Sequence, residues 1–389
     1  MTVPQALTDL ELSNAWMVDL IDQAAAGKAH SPTFASWLIT RACQLKCYYC
    51  FANARKKDPD ELTTSEAMDV IEKLADAGVF YLSYIGGEPL MRKDIYKLID
   101  YSTDLGIYTG IHTNGMLVKE GVVPRLKDVG CQILGVSIDS HDPIIHDRVR
   151  GVSGSLVGAK RAVLESVKAG MRCSIRIVVT PDSLPALPSL FQWARDVGVA
   201  ELIIIPIFMV GRAAGSADDR RMDVEGKELF WRGLEVLREI GAPLGISVPH
   251  EQVACCVGIE LNPSDEAYHA GHAIGFERST GCRVGKFIIN IHPNGDVHSC
   301  PFVHSKLGSL RDQTVEEIWG HPLLEKARTQ DLGCLARSII HTGQPDVPDP
   351  TFRRPTEELL AELAAAPPVE RPATFVPLGA VSGSKAGAR

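Results

Sequence analysis

The sequence predicts an α/β protein, a parallel sheet with helical crossovers followed by a smaller region of different character. Three observations predict it. Between residues 35 and 209, apolar runs of strand length alternate with amphipathic runs of helix length, the pattern of successive βαβ units. Six strands are countable in that stretch, too few for a complete eight-stranded barrel. After about residue 215 the composition turns charged, then cysteine-bearing, and it ends in a segment rich in Pro, Ala and Gly.

The elements follow in order. Residues 1–34 are a polar, partly helical lead-in. "FASWLIT", to residue 40, reads as a short strand entering a cysteine loop. "SEAMDVIEKLADAG" (65–78) has apolar residues at helical spacing, with Thr64 or Ser65 as N-cap and Gly78 as a stop. "VFYLSYIGGEP" (79–89) is a strand ending in a glycine turn, "DIYKLIDYSTDLG" (94–106) a helix, and "IYTGIHTNG" (107–115) a strand plus turn. Strands at 131–139, 173–180 and 201–209 alternate with helices at 155–170 and 187–198. Beyond them, "GSADDRRMDVEGKELFWRGLEVLREIG" is charged and helical. "FIINIHPNGDVHSCPF" (287–302) is two strands around an Asn-Gly turn, a strong hairpin signal. "TVEEIW" (314–319) opens a helix with Thr314 and Glu317 in capping-box register. Residues 343–389 read as a flexible tail.

The bulk numbers narrow the function. The 389 residues suffice for one large or two ordinary domains, and 45% apolar with 23% charged residues is globular composition. A formal net charge of -8 carries no basic footprint for nucleic acid. No apolar run reaches bilayer length and no secretory signal opens the chain, so a cytoplasmic protein is expected. Ten cysteines are many for a reducing compartment, and they cluster. Such clusters point to metal or catalysis rather than cross-links.

Cys43, Cys47 and Cys50 lie at intervals of four and three in "CQLKCYYC". Three thiolates can hold a [4Fe-4S] cluster by three irons and leave the fourth for a non-protein ligand, the open-site logic of catalytic zinc. A zinc knuckle or unliganded thiols are the plainer alternatives, but the next cysteine is Cys131. Cys131 and Cys173 fall in strands and read as core.

This triplet resembles the signature of the radical S-adenosylmethionine superfamily, with Tyr49 in the aromatic position before the last cysteine. The resemblance implies that the open iron chelates S-adenosylmethionine and that an electron from the cluster cleaves it to a 5′-deoxyadenosyl radical that abstracts hydrogen. "GGEP" (Gly86, Gly87, Glu88, Pro89) matches the family's turn for the methionyl amino group. Glycines let backbone carbonyls approach a ligand, and Glu88 adds an acceptor for an ammonium. "HTNG", with Asn114, looks like another family turn, and "SID" places Ser137 and Asp139 at the end of the fourth strand, with Ser137 toward the ribose or methionyl carboxylate. Arg176 stands where family members contact that carboxylate; otherwise a strand arginine simply faces solvent. "IPIFMVGRA", with Pro206, resembles the adenine-holding end of the sixth strand. Together these cover about residues 35–215 and imply a partial (β/α)6 TIM-like barrel with its site at the C-terminal strand ends.

Cys282-x12-Gly295-x4-Cys300 and the segment after it resemble the SPASM or shorter twitch extension, which carries auxiliary iron–sulfur clusters. A helical linker and that extension together span residues 216–342 in this reading. Only Cys334 follows, where the full pattern has a dense run, so one auxiliary [4Fe-4S] cluster is expected. Its ligands would be Cys282, Cys300, Cys334 and one of Cys255 or Cys256, with Cys256 assigned. The spare Cys255 is either a buried small hydrophobe or a hydrogen donor to a substrate radical. His269, His272, His298 and His304 read as surface or hairpin-face residues, and "DPIIHDRVRG" (142–151) as a segment near the active-site mouth without a derived role.

The expected function is reductive cleavage of S-adenosylmethionine and hydrogen abstraction from a small natural-product or cofactor precursor. The alternative is modification of a ribosomally made peptide with a separate recognition protein; the 42 residues before Cys43 are too few for a fused leader-binding domain. A non-catalytic iron–sulfur carrier or sensor is the contrasting class. The implied reducing partner is a flavodoxin or ferredoxin.

Overall fold

The computed structural model describes residues 30–208, 210–213, 257–260 and 285–329. Six parallel strands form its centre: β1 (Phe34–Leu38), β2 (Tyr81–Ile85), β3 (Tyr108–Thr113), β4 (Ile133–Ser137), β5 (Arg172–Val179) and β6 (Glu201–Pro206). The crossovers are α1 (Thr64–Asp76), α2 (Ile95–Asp104), α3 (Val122–Asp128), α4 (Pro143–Arg150), α5 (Ser155–Lys168) and α6 (Leu187–Asp196). The partial-barrel expectation holds. The sequence reading missed α3 and α4, and the cap of α1 is Thr63, one residue earlier than expected. Thr63 and Glu66 there satisfy each other's backbone N–H in a capping box.

The C-terminal strands do not form a separate layer. The hairpin of β8 (Ile288–Ile291) and β9 (Asp296–Cys300) continues into β10 (Val303–Ser309), and β8 pairs parallel to β1. With β7 (Val257–Glu260) antiparallel to β6, one sheet runs β10-β9-β8-β1-β2-β3-β4-β5-β6-β7. The hairpin expected in the sequence is thus an extension of the barrel wall. Two short helices follow it, α7 (Val315–Trp319) with the expected capping box on Thr314, and α8 (Pro322–Thr329).

The sheet curls. From β9 to β6 is seven strand steps in that order, roughly 34 Å in a flat sheet at about 4.8 Å per step. Yet Phe302, just past β9, stacks on Phe208, just past β6, with ring centroids 4.0 Å apart. Aromatic packing closes the gap that strand pairing leaves open.

The helices cover the outer face. Leu82, Ile111, Leu134, Val136, Ile175 and Leu202 pack with Ile71 and Leu74 of α1 and Leu98 of α2 in one apolar core, each such side chain contributing about 1.5–3 kcal/mol on burial. Residues of opposite parity face inward, and there the strands turn polar: His112, Ser137, Ser174, Arg176. Parallel strands buried on both faces read as continuous apolar runs, so this alternation marks a barrel interior that receives something other than core. At the N-terminal ends, Phe34, Tyr81, Tyr108 and Phe287 close the floor with ring contacts of 5.6–6.0 Å. No described helix is long and apolar enough to cross a membrane.

Candidate active site

The cysteine loop is fixed from three sides. On the first, Gly87 N donates to Thr40 O (2.7 Å) and Glu88 N to Ala42 O (2.8 Å). A Cβ on Gly87 would lie 2.4 Å from Ala42 O, so only glycine fits. The "GG" turn therefore serves approach of the loop backbone, a use the sequence reading assigned to ligand approach. On the second side, α4 ends against the loop: Lys46 N donates to Arg150 O (3.0 Å) and Tyr48 N to Val149 O (3.4 Å). On the third, Arg212 N donates to Cys50 O (3.0 Å). There Gly211, at φ +58°, would clash with Cys50 O if it carried a side chain.

Cys43 and Cys50 are half-buried, Cys47 is buried, and none is in a disulfide. Donors point at two of the sulfurs: Leu45 N (3.4 Å) and Asn114 Nδ2 (3.9 Å) at Cys43 Sγ, and Arg150 Nη1 (3.9 Å) at Cys47 Sγ. Burial pushes the Cys43 thiol up to about 11 and also raises that of Cys47, so loading a metal group here must displace protons. Among the described residues, no three Cys, His, Asp or Glu side chains are drawn together tightly enough for one metal ion. Three soft donors spread along one loop, with N–H groups aimed at two of their sulfurs, fit a multi-iron cluster.

Asp139 is completely buried beneath the loop. Its Oδ1 accepts from Arg150 Nη2 (2.9 Å) and Val178 N (3.1 Å), and its Oδ2 accepts from Tyr49 OH (2.5 Å). Arg150 Nε lies 2.7 Å from Oδ2 as an ion-pair contact. Asp139 N donates to His146 Nδ1 (3.3 Å), and burial lowers His146 to about 4. Burial raises Tyr49 well above its ordinary range. In this structure Asp139 and the Tyr49 hydroxyl are engaged with protein groups.

Glu88 is likewise inward. Oε1 accepts from Thr113 Oγ1 (2.8 Å) and Leu90 N (3.2 Å), and Oε2 from Asn114 N (2.8 Å). Burial outweighs these bonds and raises its carboxyl to about 7. Pro89 starts the short 3-10 turn that follows. Glu88 thereby joins the "GGEP" and "HTNG" turns, and Asn114 Oδ1 accepts from Gln44 Nε2 (3.0 Å) to tie both to the cysteine loop.

Ser137 and Arg176 are direct neighbours across β4 and β5. Arg176 does not simply face solvent. Its Nη2 contacts His112 Nε2 (3.2 Å), and its Nε is buried without a partner among the described residues. Pro206 ends β6 opposite Val179. Cys300 ends β9, buried, with Phe302 N on its sulfur (3.5 Å). The Phe302 ring also meets Phe51, the residue after Cys50, at 5.3 Å. Cys255, Cys256, Cys282 and Cys334, with His269 and His272, lie outside the described residues. Cys131 and Cys173 are core, each pushed up to about 12 by burial; Cys131 precedes β4 rather than lying in it. His298 is a buried hairpin residue stacked on His292.

Sequence reasoning missed Arg150, His146, Gln44 and Thr113. A signal for the first two was present: Asp142 before Pro143 and Gly151 nine residues later bracket a short helix, which places its last arginine against whatever the helix end touches.

The geometry and the comparisons agree on the class. Residues 37–193 match the radical SAM superfamily, and residues 282–337 match an iron–sulfur cluster-binding domain, SPASM. The AdoMet-dependent heme synthase of Nitratidesulfovibrio vulgaris is 30% identical over 299 residues, 74% of this chain and 79% of that one. The chain belongs to the radical SAM superfamily and is an enzyme of its SPASM-bearing branch, with iron–sulfur and S-adenosylmethionine cofactors. Mycofactocin maturase MftC of Mycobacterium ulcerans is 28% identical over 356 residues, 85% of this chain and 90% of its own. In fold, the chain resembles Streptococcus suis SuiB bound to the precursor peptide SuiA, with a TM-score of 0.59 over 84% of this chain and 76% of that one, at 18% identity.

Proposed function

We propose that Cys43, Cys47 and Cys50 hold the radical-generating [4Fe-4S] cluster and that the enzyme abstracts hydrogen from a small natural-product or cofactor precursor bound in the barrel. The observation that carries this is the three-cysteine loop braced at the C-terminal strand ends, beside an inward arginine without an acidic partner among the described residues. When bound, the cluster supplies the electron that cleaves S-adenosylmethionine to methionine and a 5′-deoxyadenosyl radical. Arg176 and Ser137, side by side, suit the methionyl carboxylate: a half-buried guanidinium with a spare donor favours an anion. Backbone of the Gly86–Glu88 turn and the remaining acceptor capacity of Glu88 would receive the ammonium. The end of β6 at Pro206 would flank the adenine.

In this reading residues 35–215 form the catalytic barrel and 216–342 the auxiliary region. One auxiliary cluster is held there by Cys282, Cys300, Cys334 and Cys256, leaving Cys255 as a candidate hydrogen donor. A cytoplasmic setting suits reduced cysteines, and a flavodoxin or ferredoxin would deliver the electron. A peptide substrate with its own recognition protein is the second reading, favoured by the longer match to the mycofactocin maturase.

Anaerobic reconstitution tests both levels. About eight irons per chain support two clusters and about four support one. Dithionite with S-adenosylmethionine should yield 5′-deoxyadenosine in the wild type. Formation of none, with the iron in place, contradicts the reading.

A further inference from the structure

We propose that Arg150 is a positioning residue for the cluster on Cys43, Cys47 and Cys50: clamped by Asp139 and Tyr49, it aims a charged hydrogen bond at the Cys47 sulfur and sets how readily that cluster is reduced. The inference rests on the reading of those cysteines as its ligands.

The three thiols are not equivalent. Cys43 receives neutral donors, Leu45 N and Asn114 Nδ2, whereas Cys47 receives a guanidinium. Arg150 as a residue is 7% exposed, and its carboxylate partner Asp139 is wholly buried. Two contacts to Asp139, through Nε and Nη2, orient the planar fork and leave Nη1 toward the sulfur. Tyr49 completes the clamp, its hydroxyl on Asp139 and its ring centroid 5.4 Å from the guanidinium carbon. Lysine could not reproduce this, because a point charge reaches either the carboxylate or the sulfur.

The consequence is electrostatic. Reduction adds one negative charge to the cluster, and hydrogen bonds to the ligating sulfurs stabilise the reduced form. The effect is stronger in a buried, weakly screened setting. Outer partners that orient ligands in this way tune metal sites generally. The role separates from anchoring the loop, because the loop is tied to α4 by backbone bonds at Val149 and Arg150 that no side-chain substitution removes.

The test compares wild type, Arg150→Lys, Arg150→Gln and Tyr49→Phe after anaerobic reconstitution. The EPR signal that changes on adding S-adenosylmethionine identifies the cluster, and its amplitude is titrated against potential. The expected result is unchanged iron and sulfide content with a more negative midpoint in Arg150→Gln. Arg150→Lys should fall part-way, and Tyr49→Phe should shift less in the same direction. Variants with full iron content that titrate with the wild type overturn the proposal. If Arg150→Gln does not retain iron, Arg150→Lys and Tyr49→Phe decide by the same criterion. A wild type with no signal responsive to S-adenosylmethionine defeats the underlying reading instead, and the proposal with it.

Discussion

At the N-terminal ends of the strands, Phe34, Tyr81 and Tyr108 meet ring to ring. At the opposite, C-terminal end of the sheet, Glu88, Asp139, Arg150 and Asn114 lie buried in directed hydrogen bonds. The floor is held by apolar area, which tolerates shape changes of modest size. The mouth is held by bonds whose geometry cannot shift without leaving a buried polar group unpaired. A fold can therefore be stabilised at one end and specialised at the other, and substitutions should divide accordingly.

The largest effect is expected at the loop itself. Cys47→Ala should abolish 5′-deoxyadenosine formation while leaving the thermal transition near that of the wild-type apoprotein; surviving cleavage would remove the distinction between mouth and floor. Next, Asp139→Ala leaves the Arg150 charge buried without its partner, a loss of about 3–5 kcal/mol readable by denaturant unfolding. A loss below about 1 kcal/mol, the range of an exposed pair, would show the network to be solvated.

Glu88 predicts a pH dependence. Its folded carboxyl is raised by burial to about 7 from 4.5, so the folded state holds the proton longer than the unfolded one. Stability from this group is then present below about pH 4.5, is lost as pH rises toward about 7, and changes no further above that. The full span is about 3 kcal/mol at 1.36 kcal/mol per unit. Urea unfolding of the apoprotein between pH 5 and 8, with ~3 kcal/mol as the upper bound, should show this decline, and Glu88→Gln should flatten it. A decline unchanged in Glu88→Gln would assign it to other groups.

Gly87→Ala forces a Cβ against Ala42 O. It should cost about 1–3 kcal/mol and reduce iron uptake, because the loop backs away from its brace. At the floor, Phe34→Leu should cost less than about 1.5 kcal/mol with cleavage activity as in the wild type. A floor variant that alters cleavage as much as Gly87→Ala would erase the contrast.

Much of this was legible in the chain. The six strands follow from alternating apolar runs between turn residues, and the triplet Cys43, Cys47, Cys50 followed by "GGEP" points to the site, because contiguous spacing encodes a loop and its turn. Arg150 was not legible as a partner of Cys47, since 103 residues separate them and only the docking of α4 brings them together. Nor was the inward turn of Asp139 and Glu88. A carboxylate in a strand-end turn does not show from sequence alone that protein donors engage it, as Val178 N and Tyr49 OH engage Asp139 and Thr113 Oγ1 engages Glu88. The hairpin was visible from Asn294-Gly295, but its pairing with β1 was not.

By itself, then, the sequence determined the order of the six parallel strands, the cysteine triplet of the candidate site and the family, because each is written in local spacing or in short contiguous motifs. Only the tertiary structure decided which polar groups face inward, which strand receives β8 and what clamps the cysteine loop. Those outcomes depend on contacts between residues far apart in the chain, whose geometry appears only once the sheet has curled and the helices have packed against it.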